Sequence, residues 1–323
     1  MTAGDFEHQN ASRWAEYERL VTSIEKGKAG PDAEDLPKRF RELSLDLSLA
    51  ESRMYGGQIT ERLNQLVIRG YELIYQRRRG SWESIVSFVT MEFPQTVRRE
   101  WRLFLLCNAV FWIPFLAMIL SVNHDISWVQ ATLGADGMSS MEQMYGGQEE
   151  QISHLREKHG SNFMMFCFYI QHNVGIDFQI FAGGILAGLG TLFFLLFNGL
   201  YLGAAAGYVN HACNPESFWS FVAGHSSPEL LGMIISGMAG MRLGLAILKP
   251  GRLPRARALT EAAKQALPLI YGAALMTILA ASIEGFWSAL VIPVGVKYTV
   301  GIVGWVLHIL YFSLAGRRYE RAT

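Results

Sequence analysis

Residues 103–122 read LFLLCNAVFWIPFLAMILSV, twenty consecutive positions without a charge. Coiled as an α-helix at 1.5 Å per residue they measure about 30 Å, the thickness of a bilayer's hydrocarbon core. No ordinary strand is that long, and a helix packed on a soluble core keeps a polar face that this run lacks. Leu103–Val122 is therefore read as a membrane span, and the rest of the chain is read outward from it.

Toward the C terminus, apolar runs recur at 163–209, 229–248, 267–292 and 298–315. The first is too long for one span and contains QHNVGID at 171–177. It is read as a short segment, 163–172, a polar break, and a full helix from about Phe178 to Ala206. The fold class that follows is all-α: a polytopic bundle over 103–316 with five or six transmembrane helices, one of them short or re-entrant. Residues 123–162 form a polar loop with six acidic side chains against two basic ones, the balance of an extracytoplasmic loop.

Toward the N terminus the chain changes character. Half of the 323 residues are hydrophobic and only 17% are charged, below the quarter or so typical of soluble domains, and the charge that is present concentrates in the first hundred residues. Residues 1–80 predict a cytoplasmic helical arm. Asn10 or Ser12 is a candidate cap for a first helix bearing Trp14, Tyr17, Leu20, Val21 and Ile24 on one face. A second helix is predicted over 36–55, ended by Gly56–Gly57, and a third over 59–76, before Arg77, Arg78 and Arg79. Residues 81–102 carry Trp82, Ile85, Val86, Val89 and Phe93 opposite polar positions, the pattern of an amphipathic helix lying on the bilayer surface; a fourth helix of the arm is the alternative.

MTAGDFEHQN lacks the basic start and apolar stretch of a signal peptide, so the arm is expected to stay where it is made, in a bacterium the cytoplasm. The linker 249–266 holds five basic residues against one acidic, and Arg317, Arg318 and Arg321 follow the last span. By the positive-inside rule both lie in the cytoplasm, which requires an even number of crossings before residue 249. The segment 163–172 supplies the missing crossing, giving six passes with both termini inside; a re-entrant loop at 214–228 is the alternative. The localisation predicted is a multi-pass protein of the bacterial cytoplasmic (inner) membrane, in contact with membrane lipid. The formal net charge of zero predicts no nucleic-acid partner.

Polar groups inside the apolar region are His172, Asn173, Asp177, Asn198, His225, Glu229, Arg242, Glu284, Lys297 and His308. Each is costly in lipid and is expected to face protein or water, which makes it a functional candidate. The cluster singled out is His172, Asn173, Asn198, His225, Glu229, Arg242 and Glu284. Ser226 and Glu229 also fit a capping box, with Pro228 in the first turn of a helix starting there. Similar depths allow an Arg242–Glu284 pair; the rival has Arg242 reaching the cytoplasmic face and Glu284 bonded to Asn198 or His225. Small residues recur at Gly199, Gly203 and Gly207, and at Gly232, Ser236, Gly240 and Gly244, the spacing that lets helix backbones approach. They serve packing within the chain or a homodimer. GxSxG, HExxH, P-loop and GxGxxG patterns are missing, and Cys107, Cys167 and Cys213 have neither metal-ligand nor CxxC spacing. No enzyme activity, cofactor or metal is expected.

Several runs carry a resemblance: LNQLVIRGYELIY in the arm, His172-Asn173 before a glycine-rich span, Phe197-Asn198-Gly199, GHSSPE at 224–229 and SIEGF at 282–286. The chain resembles the stage II sporulation protein M family. The resemblance implies an envelope-associated membrane component. The family's namesake is a membrane scaffold that works with cell-wall hydrolases, and its relatives are often encoded beside other membrane proteins and a chaperone-like ATPase. The function expected is a scaffold that engages other envelope membrane proteins, with an ATPase-type partner for the arm. The family's namesake lacks the charged arm. A channel or transporter subunit using the intramembrane polar residues is the alternative function.

Overall fold

The computed structural model describes residues 2–26, 31–75, 81–145 and 160–317, and every element among them is helical. The chain divides into two compact units between Ser84 and Ile85.

The first unit packs α1 (Ala3–Glu25), α2 (Leu36–Ser52) and α3 (Gly57–Tyr75) around Phe6, Trp14, Tyr17, Leu43, Leu63 and Leu66. Helix α1 starts at Thr2, ahead of the expected Asn10 or Ser12, because the Thr2 hydroxyl and the Asp5 carboxylate form a reciprocal capping box. Helix α2 stops at Ser52, short of the glycine pair. Met54 takes φ 52°, and the Tyr55 and Met54 amides return to Ala50 and Glu51, which closes the helix as a Schellman motif without glycine. The buried Asp46 carboxylate accepts from the Trp14 indole at 2.8 Å and from Arg13. The Arg77–Arg79 cluster lies outside the described residues.

The boundary falls inside α4 (Ser81–Ser87), which is followed in the second unit by a π-helical turn (Phe88–Glu92) and α5 (Phe93–Arg99). The predicted amphipathic helix is thus wound out of register at 88–92 and ends at Glu100, whose φ/ψ of −97° and 30° leave the helix. Trp82, Ile85, Val86 and Val89 are exposed, whereas Phe93 packs on Phe312 and against Gly272. The bundle follows as α6 (Trp101–His124), α7 (Ser127–Tyr145), α8 (Asn162–Ala182), α9 (Leu189–Ala212), α10 (Pro215–Leu248), α11 (Arg255–Ile283), a second π-helical turn (Glu284–Ser288) and α12 (Val294–Leu314). Among the described residues five helices are long and apolar enough to cross a membrane: α6, α9, α10, α11 with its π turn, and α12.

Within the bundle, three further expectations change. The polar stretch 171–177 does not break the chain, because α8 runs through it and ends at a tight turn where Ala187 and Gly188 take φ 54° and 84°. The loop 123–162 is partly helical: α7, kinked at Gly134, packs onto α9 and buries Val129 and Tyr145, while Glu149, Glu150, Arg156, Glu157 and Lys158 lie outside the described residues. The helix expected to start at Glu229 starts at Pro215, since Asn214 accepts from the Glu216 and Ser217 amides and a first-turn proline needs no donor. Pro228 therefore lies inside α10, no re-entrant loop occupies 214–228, and the Ser226 hydroxyl bonds Ala223 O and caps nothing.

Helix α10 is the axis, with every residue from Leu231 to Met241 buried. The two small-residue stripes are spent inside the chain. A Cβ on Gly199 would stand 2.5 Å from Phe111 O and one on Gly203 2.5 Å from Phe115 O, both on α6. On α10, Gly232 faces Thr277 and Ala273 of α11, while Gly240 and Gly244 receive the backbone of the α8–α9 connection. These contacts run α6 parallel to α9, and α8 and α12 parallel to α10 with α11 antiparallel to them.

Candidate functional site

His225 and Glu229 lie four residues apart, so they share one face of α10. That face meets the π-helical turn after α11. Glu284 and Ser288, the first and last residues of that turn, both face α10, and both are buried. One ligating atom each from His225, Glu229 and Glu284 lies within 4.8 Å of the other two. His225 Nε2 is 3.7 Å from Glu229 Oε2, and His225 Nδ1 is 3.1 Å from Ser288 Oγ. His225 is 4% and Glu284 7% exposed.

Gly224 and Gly285 permit this approach. A Cβ on Gly224 would stand 2.4 Å from the Trp287 ring, and one on Gly285 2.9 Å from the backbone of Phe166 on α8. Around the cluster, Lys297 of α12 is fully buried and donates to Ser288 O at 2.9 Å, so it braces the turn that holds Ser288. Asn173 of α8 lies beside Glu284 with its buried amide near enough to favour that carboxylate, although no bond of full hydrogen-bond geometry joins the two. Tyr145, at the end of α7, packs its ring on Phe218, and its carbonyl accepts from Asn214 N at 3.0 Å. Burial, then the Glu284 and Glu229 charges, push its phenol up. One helical turn below the cluster, Thr277 donates to the buried Asp177 carboxylate of α8.

Of the seven residues singled out in the sequence, the fold brings together His225, Glu229, Glu284 and Asn173. The other three stand elsewhere. His172 is on the exposed face of α8, stacked on Phe168. Asn198 returns its amide to Phe194 O within α9. Arg242 bonds Glu100, with Nη1 2.8 Å from Oε1, and also Gln265, so no Arg242–Glu284 pair forms. A half-buried arginine near the end of its helix takes a partner at its own depth, and the chain supplies one in Glu100, just before α6. Ser288, Thr277 and Tyr145 were not foreseen. Hydroxyls in apolar helices are common packing residues, and only their partners mark these three out.

A family model described as stage II sporulation protein M matches residues 105–289, and one described as a domain of unknown function matches residues 4–76. No curated protein and no solved structure matches the chain. The first match contains His225, Glu229 and Glu284; the second coincides with the helical arm.

Proposed function

For a chain that belongs to the stage II sporulation protein M family, we propose a non-enzymatic scaffold of the bacterial cytoplasmic (inner) membrane. Its six-pass bundle engages other envelope membrane proteins, and its arm lies in the cytoplasm and recruits a partner of the ATPase type.

One observation carries this reading. The arm is a compact unit with its own core and its own family match, joined to a bundle that has a different one. A soluble helical module tethered to a membrane bundle is built to bring something to the membrane. Ile68 and Tyr71, one turn apart on α3, stay exposed on it and offer apolar anchors for a partner. The test is the size of the detergent-solubilised assembly isolated from the native host. Replacing Ile68 and Tyr71 by serine should leave membrane insertion intact and strip a component from the assembly. An assembly unchanged even when the arm is deleted would sink the reading.

A channel or transporter subunit is the second reading, and the burial of His225, Glu229 and Glu284 inside the bundle favours it. Loss of flux in vesicles carrying Glu284→Gln, with the assembly intact, would select it over the scaffold.

A further inference from the structure

We propose that His225 Nε2, one oxygen of Glu229 and one of Glu284 form a binding site for a divalent first-row transition-metal ion, with Zn2+ the first candidate, that staples the middle of α10 to the π-helical turn after α11.

The donor arrangement argues for it first. Three ligating atoms lie within 4.8 Å of one another, drawn from two elements that meet only in the fold. Ligands held 2.0–2.1 Å from a tetrahedral ion stand about 3.3 Å apart. The 3.7 Å between His225 Nε2 and Glu229 Oε2 is too long for a hydrogen bond and close to that spacing.

The partners of the ligands argue for it independently. Glu284 Oε2 is buried without a hydrogen-bond partner, on a residue more than nine-tenths buried that is aimed at the other two. Leaving such an oxygen unpaired is costly, and a cation removes the cost. On the opposite side of the imidazole, Ser288 Oγ sits 3.1 Å from Nδ1. In the tautomer that donates this hydrogen bond, the Nε2 lone pair turns toward the carboxylates. Metal-bound histidines are oriented in this way by a partner on their other nitrogen. Lys297 holds Ser288 from behind through its carbonyl, and Asn173 stands beside Glu284 where its amide can support the oxygen that does not ligate.

Donor chemistry narrows the ion. Imidazole nitrogen with two carboxylates suits Zn2+, Fe2+ or Mn2+ better than Mg2+ or Ca2+, which favour shells of oxygen alone. Two carboxylates and a 2+ ion also sum to zero charge, which a low-dielectric interior favours over two anions held together. This inference stands apart from the scaffold reading, since a metal staple serves a scaffold and a transporter equally.

The experiment uses the full chain, purified in detergent through an affinity tag without histidine, stripped with EDTA and then dialysed against Zn2+ with elemental analysis of what is retained. The wild type should hold one ion per chain and melt at a higher temperature with Zn2+ than after EDTA. X-ray absorption should show a nitrogen and oxygen shell without sulfur. Glu284→Gln and Glu229→Gln should each lower Zn2+ affinity about ten-fold or more, whereas His172→Gln, on the outer face of α8, should bind as the wild type does. A wild type that retains no Zn2+, Mn2+ or Fe2+ overturns the proposal without reference to any variant. So does equal retention by Glu284→Gln, or a sulfur-containing shell. A melting temperature indifferent to both EDTA and Zn2+ also overturns it and leaves a cluster bridged by protons.

Discussion

Arg242 bonds Glu100 with Nη1 2.8 Å from Oε1, and so ties the last turns of α10 to the first residue before α6. Their side chains are 32% and 14% exposed, between a solvated surface pair and a fully buried one. Glu100→Gln and Arg242→Gln should each cost ~1–2 kcal/mol, above the surface-pair range and below the cost of orphaning a buried charge. The double variant should lose clearly less than the sum, which denaturation of the four proteins in one detergent would measure. Strict additivity would mean that the pair is not coupled.

The Gly203 position makes a sharper contrast. Its missing Cβ is what lets the α9 backbone reach Phe115 O on α6, and the space is closed by backbone, which cannot swing aside. Gly203→Ala should cost ~2–4 kcal/mol or abolish accumulation in the membrane, as overpacking does when nothing can yield. Gly175, in the middle of α8, has nothing within 4 Å of its would-be Cβ. Gly175→Ala should be neutral or stabilising by up to ~1 kcal/mol through helix propensity. Thermal melts of the two variants beside the wild type decide it.

The spans were legible because a long uncharged run has no other physical use. What misled was polarity within a span. Asn173 and Asp177 look like a break, yet they lie four residues apart on one face of α8, and Asp177 is satisfied by Thr277 from a helix a hundred residues downstream. Nothing local announces such a partner. The actual bend, at Ala187–Gly188, hides in a stretch whose glycines read as ordinary close packing. The same limit applied to the site. Burial cost alone marked His225, Glu229 and Glu284, but their convergence depends on which faces of α10 and α11 pack together, a contact between segments some sixty residues apart that no local pattern announces. Arg242 was misassigned because depth along a helix gives a height and no azimuth.

The arm offers an independent test of its own fold. Asp46 is the acceptor for the fully buried Trp14 indole, so Asp46→Ala leaves that N–H without a partner inside the core. The cost should be ~1–3 kcal/mol. Residues 1–80 produced without the bundle should unfold cooperatively in urea with helical circular dichroism, and the variant should shift the midpoint down with an unchanged slope. A fragment that shows no cooperative transition would mean that the arm needs the bundle in order to fold.

Packing places the bundle's ends on two sides, and their charges differ. Parallel α6 and α9, with α8 and α12 parallel to α10 and α11 antiparallel, put Glu100, the turn at 183–188, the linker 249–254 and Arg317 at one end, and His124, Asn214 and Pro293 at the other. The first end carries Arg98, Arg99, Arg102, Lys249, Arg252, Arg255 and Arg257; the second carries Asp125, Asp136, Glu142 and Glu216. A charge bias of this kind orients a protein with its basic end in the cytoplasm. With the native cysteines replaced, single cysteines at the exposed positions Ser139 and Glu216 should react with a membrane-impermeant thiol reagent in intact cells, and one at Thr260 only after permeabilisation. Ser217, though adjacent, is buried and would report packing instead of side. Labelling at 139 and 260 with protection at 216 would mean that α8 and α9 together cross an odd number of times. That outcome would reverse α10 in the membrane and move the His225–Glu229–Glu284 cluster toward the cytoplasmic face.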